Sequence, residues 1–256
     1  PQSLNAKATD LMRNAQWAEA LKLLTTCTDR FDKNALTLYG PQFGVTWYRK
    51  GICELKLEQW DAAAKSFETC YRKYTNNSAQ AESGGNIYNK RALLYWGHAA
   101  KGGEDWATAI RMYKKFLEER DKTRDSFEPG AYYINMAICH LKLNKIAEGV
   151  EYFETALKNK VAYRTPEAGI VATFQVLVDA VIEKRDEKAL LAFVANNRAD
   201  IIIEPYDMYA YSGLFLGLAG KAYNADMVPS AFLLYQLIPS TTVMLDDTKS
   251  RLDSLA

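Results

Sequence analysis

The chain carries almost no net charge: 32 lysines and arginines against 31 aspartates and glutamates leave a formal +1 over 256 residues. Such a balance gives no strong long-range steering, and a general nucleic-acid binder would show a larger basic excess. Histidine is scarce. Neither His98 nor His140 has an acid or a second histidine at helical spacing, as a metal pair or a general base would need. The four cysteines (Cys27, Cys53, Cys70, Cys139) show no CxxC spacing, which argues against a zinc site or a disulfide framework and for small packing residues. Seven prolines and 14 glycines are too few for a turn-rich β architecture. No long apolar run exists. The strongest, from Ala168 to Val181, is broken by Gln175 and Asp179 and is too short and polar to span a bilayer. Gly102-Gly103 lacks the strand and lysine of a phosphate loop and reads as a turn. With no catalytic, cofactor or metal constellation in sight, the chain is expected to bind rather than to catalyse. It starts at Pro1 without a charged-then-apolar leader, as a mature or trimmed chain would.

What the sequence does contain is a repeat. Trp17-x-x-Ala20, Trp60-x-x-Ala63 and Trp106-x-x-Ala109 recur, each alanine followed four residues later by Leu24, Phe67 or Tyr113. Twelve residues before each alanine stands another small residue: Ala8, Gly51 and Gly97. The same phase continues through Ala137, Gly149 and Phe153, then Leu177, Ala189 and Phe193, then Ala219, Ala231 and Tyr235. Small side chains at this spacing let two antiparallel helices approach closely, and the bulky residue one turn on fills the space beside the next repeat. A helix pair cannot bury its apolar face alone, so neighbouring pairs stack and share a core.

This pattern resembles the tetratricopeptide-repeat family, whose signature is W-x2-L-G-x2-Y followed by A-x3-F. The second repeat reads Trp47-x2-Lys50-Gly51-x2-Glu54, then Ala63-x3-Phe67, with Lys50 and Glu54 departing from the consensus. The resemblance implies an all-α, right-handed α-α superhelix of about six helix-turn-helix repeats, closed by a C-terminal capping helix. The expected repeats lie near 1–34, 44–77, 90–123, 130–163, 170–203 and 212–240 of one 1–256 solenoid domain. Helix 241–255 is the cap or the first half of a seventh repeat. The period of about 40 to 46 residues exceeds the usual 34. The excess falls between repeats, as at Asn34–Phe43 and Ser78–Asn89. Glu128-Pro129, Thr165-Pro166 and Glu204-Pro205 mark expected helix starts. Repeats two to four, with Trp47-Tyr48-Arg49-Lys50-Gly51 and the ending Tyr71-Arg72-Lys73-Tyr74-Thr75-Asn76-Asn77, look like those of bacterial envelope members such as the Tol–Pal coordinator and the β-barrel assembly lipoprotein. That likeness implies a periplasmic or cell-envelope location over a cytoplasmic one.

The family's A helices line its concave surface, which gives the sequence its candidate site. Sixteen tyrosines are an excess, and tyrosine suits a binding surface, although it also packs between helices in this repeat. The A helices of repeats two to four hold Arg49, Lys50, Lys56, Lys90, Arg91, Lys101 and Lys142 against Glu54 alone. Tyr48, Arg49, Arg91, Tyr95, His98, Asn135 and Lys142 form the expected groove, suited to an acidic or carboxylate-ended protein segment. The carboxylate clamp of chaperone-binding members is at best partial, since its phases hold Asn5, Thr9, Arg49 and Arg91. The expected function is a protein-binding scaffold, without nucleic acid or membrane insertion, and with self-association left open. Two alternatives stand beside it: a spacer segment of a longer envelope protein, or a regulatory domain fused to an enzyme or anchor. In repeat five, helix A is apolar nearly all round, so either the superhelix closes tightly there or something covers it: the terminal helix, a second chain or an apolar ligand.

Overall fold

The computed structural model describes residues 1–76, 85–119, 130–159, 170–201 and 208–238. These residues form helices and turns, with no strand among them. Six antiparallel pairs follow one another: α1 (Gln2–Arg13) with α2 (Trp17–Phe31), then, after the short α3 (Ala35–Tyr39), α4 (Gly44–Lys56) with α5 (Trp60–Arg72), and α6 (Asn89–Gly102) with α7 (Trp106–Glu119). The others are α8 (Gly130–Lys142) with α9 (Ile146–Lys158), α10 (Ile170–Lys184) with α11 (Glu187–Ile201), and α12 (Met208–Asn224) with α13 (Val228–Tyr235). The chain divides into two compact units, Pro1–Ser126 and Phe127–Ala256, with three pairs in each. Within the first unit α2 packs on α4 and α5 on α6. Within the second, α8 packs on α10, α9 on α11, and α11 on α13. The insertion at 34–43 is not open loop: two 3-10 turns flank α3. The expected terminal helix 241–255 and the three proline starts lie outside the described residues.

One turn geometry joins every pair. Two residues before each B helix, Ala15, Glu58, Glu104, Asn144, Arg185 and Asp226 take φ between 53° and 62°, the left-handed region. In each case the next residue donates its amide to the carbonyl five residues back, as Gln16 to Leu11 (2.9 Å), Gln59 to Glu54 (2.9 Å) and Lys145 to His140 (2.9 Å). The left-handed residue itself donates three residues back, as Glu58 to Leu55 at 3.1 Å. This double closure satisfies carbonyls that a helix end leaves open. None of the six left-handed residues is glycine, so each turn accepts the Cβ strain that glycine would avoid.

The small residues do what their spacing predicts, with a different partner. Ala8, Gly51, Gly97 and Ala137 are all buried at helix crossings. A Cβ on Gly51 would stand 2.8 Å from the ring of Phe67, and one on Gly97 2.7 Å from that of Tyr113. The bulky residue thus seats on the glycine of its own repeat as well as toward the next, where Phe67 meets Tyr95 at 5.8 Å between centroids. In the fourth pair a Cβ on Gly149 would stand 2.6 Å from the Leu141 side chain and 3.4 Å from the Ala137 carbonyl oxygen, so this glycine too lies under a bulky neighbour. Trp60, at the start of α5, covers the following pair's turn, where a side chain on Gly102 would meet the indole at 2.5 Å. That contact accounts for the Gly102-Gly103 turn.

In the second unit, Phe153, Phe174, Phe193 and Phe215 form a chain of ring contacts at 4.8 to 5.5 Å. Helix α10 touches α8, α9, α11 and α12, which explains its apolar character. Its exposed positions Gln175, Asp179 and Glu183 fall at i, i+4, i+8, with Lys184 exposed at its last turn, and Asp179 pairs with Lys221 of α12 at 3.0 Å. Neighbours within the unit supply the burial expected for this helix.

Candidate functional site

The A helices of the first unit carry two groups of functional side chains. The first is aromatic. Tyr48 of α4 stacks on Tyr88 (4.3 Å, planes 4° apart), and Tyr95 of α6 meets Tyr48 edge-on at 5.5 Å. Tyr95 contacts His98 at 5.6 Å, and His98 Nδ1 shares a 2.9 Å hydrogen bond with the Tyr113 hydroxyl of α7. Tyr48, Tyr95 and His98 are therefore brought together, with the Arg91 charge acting on Tyr48. Tyr48 is buried, and burial pushes its phenol pKa up. Tyr88, Tyr95 and His98 remain half-buried. Burial, and secondarily the charge of Lys101, lowers the His98 pKa to about 4, so the imidazole is neutral at physiological pH and adds no positive charge.

The second group forms an open groove of about 550 Å³ along α1 and α4. Its α1 wall presents Gln2, Asn5, Ala6, Thr9, Asp10 and Arg13, and its α4 wall Val45, Thr46 and Arg49. The insertion segments close one end with Tyr39, Gln42, Phe43, Gly85 and Ile87. Asn5 ties the walls together: its amide donates to Thr46 Oγ1 at 2.8 Å, and its oxygen accepts from Arg49 at a long 3.4 Å. Arg13 is paired with Asp10 at 2.9 Å. Ile87 is 67% exposed beside this end. Helical phase places Arg49 inward but does not reveal the groove, because its end wall comes from segments between repeats.

Asn135 and Lys142 belong to the second unit, on α8. Asn135 is buried and donates to the Ala131 carbonyl at 3.1 Å, whereas Lys142 is exposed. The two departures from the repeat consensus prove to be partners. Lys50 pairs with Glu54 at 2.8 Å, and the buried Glu54 also accepts from Ser66 at 2.6 Å. All four cysteines are buried free thiols, and burial pushes Cys53 and Cys70 up to about 12. Thiols so protonated are poor nucleophiles.

The junction of the first two pairs is held by Asp32. Its carboxylate accepts from Trp47 Nε1 at 2.7 Å, from the Tyr74 hydroxyl and from Lys73. Burial raises the Asp32 pKa, but hydrogen bonds from Lys73, Tyr74 and Trp47 and the lysine charge outweigh it and hold the group below its usual value. Asn86 and Asn89 donate to the last carbonyls of α5 and the turn after it, Asn86 to Tyr74 at 3.0 Å and Asn89 to Tyr71 at 2.8 Å, and so fix the start of the third pair.

Antiparallel helix pairs with one turn geometry and small-on-bulky crossings define an all-α helical-repeat protein. Residues 46–77, which span most of α4 and all of α5, match the tetratricopeptide repeat family model. The chain is similar in fold to a tetratricopeptide repeat protein from Parabacteroides merdae, at 12% identity and a TM-score of 0.50, over 99% of this chain and 98% of that one. It is also similar to PilF of Pseudomonas aeruginosa (13% identity, TM-score 0.47), over 98% of this chain and 96% of that one. A third likeness is to the C-terminal part of a repeat-containing protein from Cytophaga hutchinsonii (13%, TM-score 0.35), over 95% and 98% of the two chains. The chain thus carries a tetratricopeptide repeat at residues 46–77 and is similar in fold to proteins built from such repeats. Among the described residues, no helix is long and apolar enough to cross a membrane.

Proposed function

We propose that this chain is a non-catalytic scaffold that holds a segment of a partner protein in the groove between α1 and α4. The groove carries the reading: it is open, of a size to take a few side chains, and lined by both polar and apolar groups. Tetratricopeptide repeats generally serve as protein-binding modules, which supports the same class of function. The half-buried ring cluster of Tyr88 and Tyr95 extends the A-helix face beside the groove and offers aromatic contact area.

The test is a selection of random displayed peptides against the purified chain, followed by amide exchange with the best binder. The expected result is an enriched peptide family that slows exchange in α1 and α4. Failure to enrich any family, or protection confined to other helices, would remove this groove as the binding site.

A further inference from the structure

The groove's chemistry is uneven along its length, and that unevenness specifies an occupant. One end is apolar, with Tyr39, Phe43, Val45 and Ile87. Tyr39 is held in place by stacking on Phe43 at 6.0 Å, so its ring is a fixed wall. The other end holds Asp10 and Arg13, which neutralise each other. Between them lies Arg49, half-buried, whose hydrogen bond is the 3.4 Å contact to Asn5 Oδ1. A guanidinium has five donors in a planar fork, so one long bond leaves most of its capacity facing the groove. The structure thus sets an under-used cation in mid-groove beside a preformed apolar end.

We propose that the groove takes an extended segment through an internal aspartate or glutamate bound to Arg49, with an apolar side chain a few residues away against Tyr39, Val45 and Ile87. This rests on the binding function proposed above and names the chemistry of its ligand. The internal position follows from placement: lining residues continue beyond Arg49 in both directions, toward Val45 and Ile87 on one side and Thr9 and Arg13 on the other. A chain end would leave one of those stretches uncovered. The charge-assisted bond supplies specificity, and the apolar end supplies contact area.

The experiment uses two displayed random-peptide libraries, one with both peptide ends blocked by fusion and one ending in a free carboxylate. Both are selected against the full chain and against Arg49→Glu. The best peptides are then measured by fluorescence anisotropy on the parent, Arg49→Met and Arg49→Lys, with melting curves as a check on folding. The blocked library should yield peptides with a central acid and an apolar residue nearby. Arg49→Met should weaken them by about tenfold or more, the factor one charge-assisted hydrogen bond carries. Arg49→Lys should weaken them less, and Arg49→Glu should select basic peptides instead. Enrichment from the free-carboxylate library alone, or groove-bound peptides indifferent to Arg49, would overturn this proposal and leave the scaffold reading in place. No enrichment from either library would overturn both.

Discussion

Gly97 lies directly beneath the ring of Tyr113, so close that a methyl group on its Cα would stand 2.7 Å from Cε1. The same pairing recurs between Gly51 and Phe67 one repeat earlier. In both, the hairpin closes to a distance that only a missing side chain permits. Gly97→Ala should therefore destabilise the chain by about 1–3 kcal/mol, overpacking outweighing the better helix propensity of alanine. Gly217 in α12 has no heavy atom within 4 Å of the same position, so Gly217→Ala should stabilise by about 0.5–1 kcal/mol. Urea unfolding of both variants checks the pair of opposite signs.

The six left-handed turn residues predict a gain. Glu58 holds φ 57° with a Cβ that this region penalises. Glu58→Gly should raise stability by about 1 kcal/mol, while Glu58→Val, β-branched, should lower it. Thermal melts of the two variants should move in opposite directions from the parent.

The Lys50–Glu54 pair predicts strong coupling. Glu54 is 3% exposed and Lys50 17%, so Lys50→Leu leaves a buried carboxylate with only Ser66 as partner and should cost about 3 kcal/mol. The double change to the family consensus, Lys50→Leu with Glu54→Tyr, removes both charges and should recover most of that loss. A double-mutant cycle with a coupling below about 0.5 kcal/mol would contradict this account of the site.

Asp32 predicts a pH dependence. Its folded pKa is depressed, so its contribution is present above the unfolded value of about 3.9 and is lost as pH falls through the folded one. Asp32→Asn should therefore destabilise by about 1–2 kcal/mol at pH 7 and progressively less toward pH 3. Unfolding free energies at several pH values would show the two curves converging on the acid side.

The repeat is legible in the sequence because packing fixes it: a glycine under a ring, an alanine at a crossing and a tryptophan at a helix start are physical necessities at set spacings. Ala8, Gly51, Gly97 and Ala137 are readable for that reason. The turns are not, since Ala15, Glu58, Glu104, Asn144, Arg185 and Asp226 share a backbone conformation but no side-chain chemistry. Lys50 and Glu54 look like two separate departures, and only the structure shows each as the reason for the other. Tyr48, Tyr95 and His98 share a helical phase and their rings meet, but phase alone does not say that Tyr48 is buried or that His98 is neutral. The groove's apolar end depends on Tyr39 and Ile87, which lie between repeats and obey no repeat phase.

The most direct test of the central claim is site-specific photo-crosslinking of a selected peptide. A benzophenone side chain at Gln42, exposed in the groove wall, is compared with one at Lys65, exposed on α5 away from the groove lining. The account predicts a peptide adduct from Gln42 that unlabelled peptide competes away, and none from Lys65. Equal adducts at both positions, or an adduct at Lys65 alone, would contradict binding between α1 and α4.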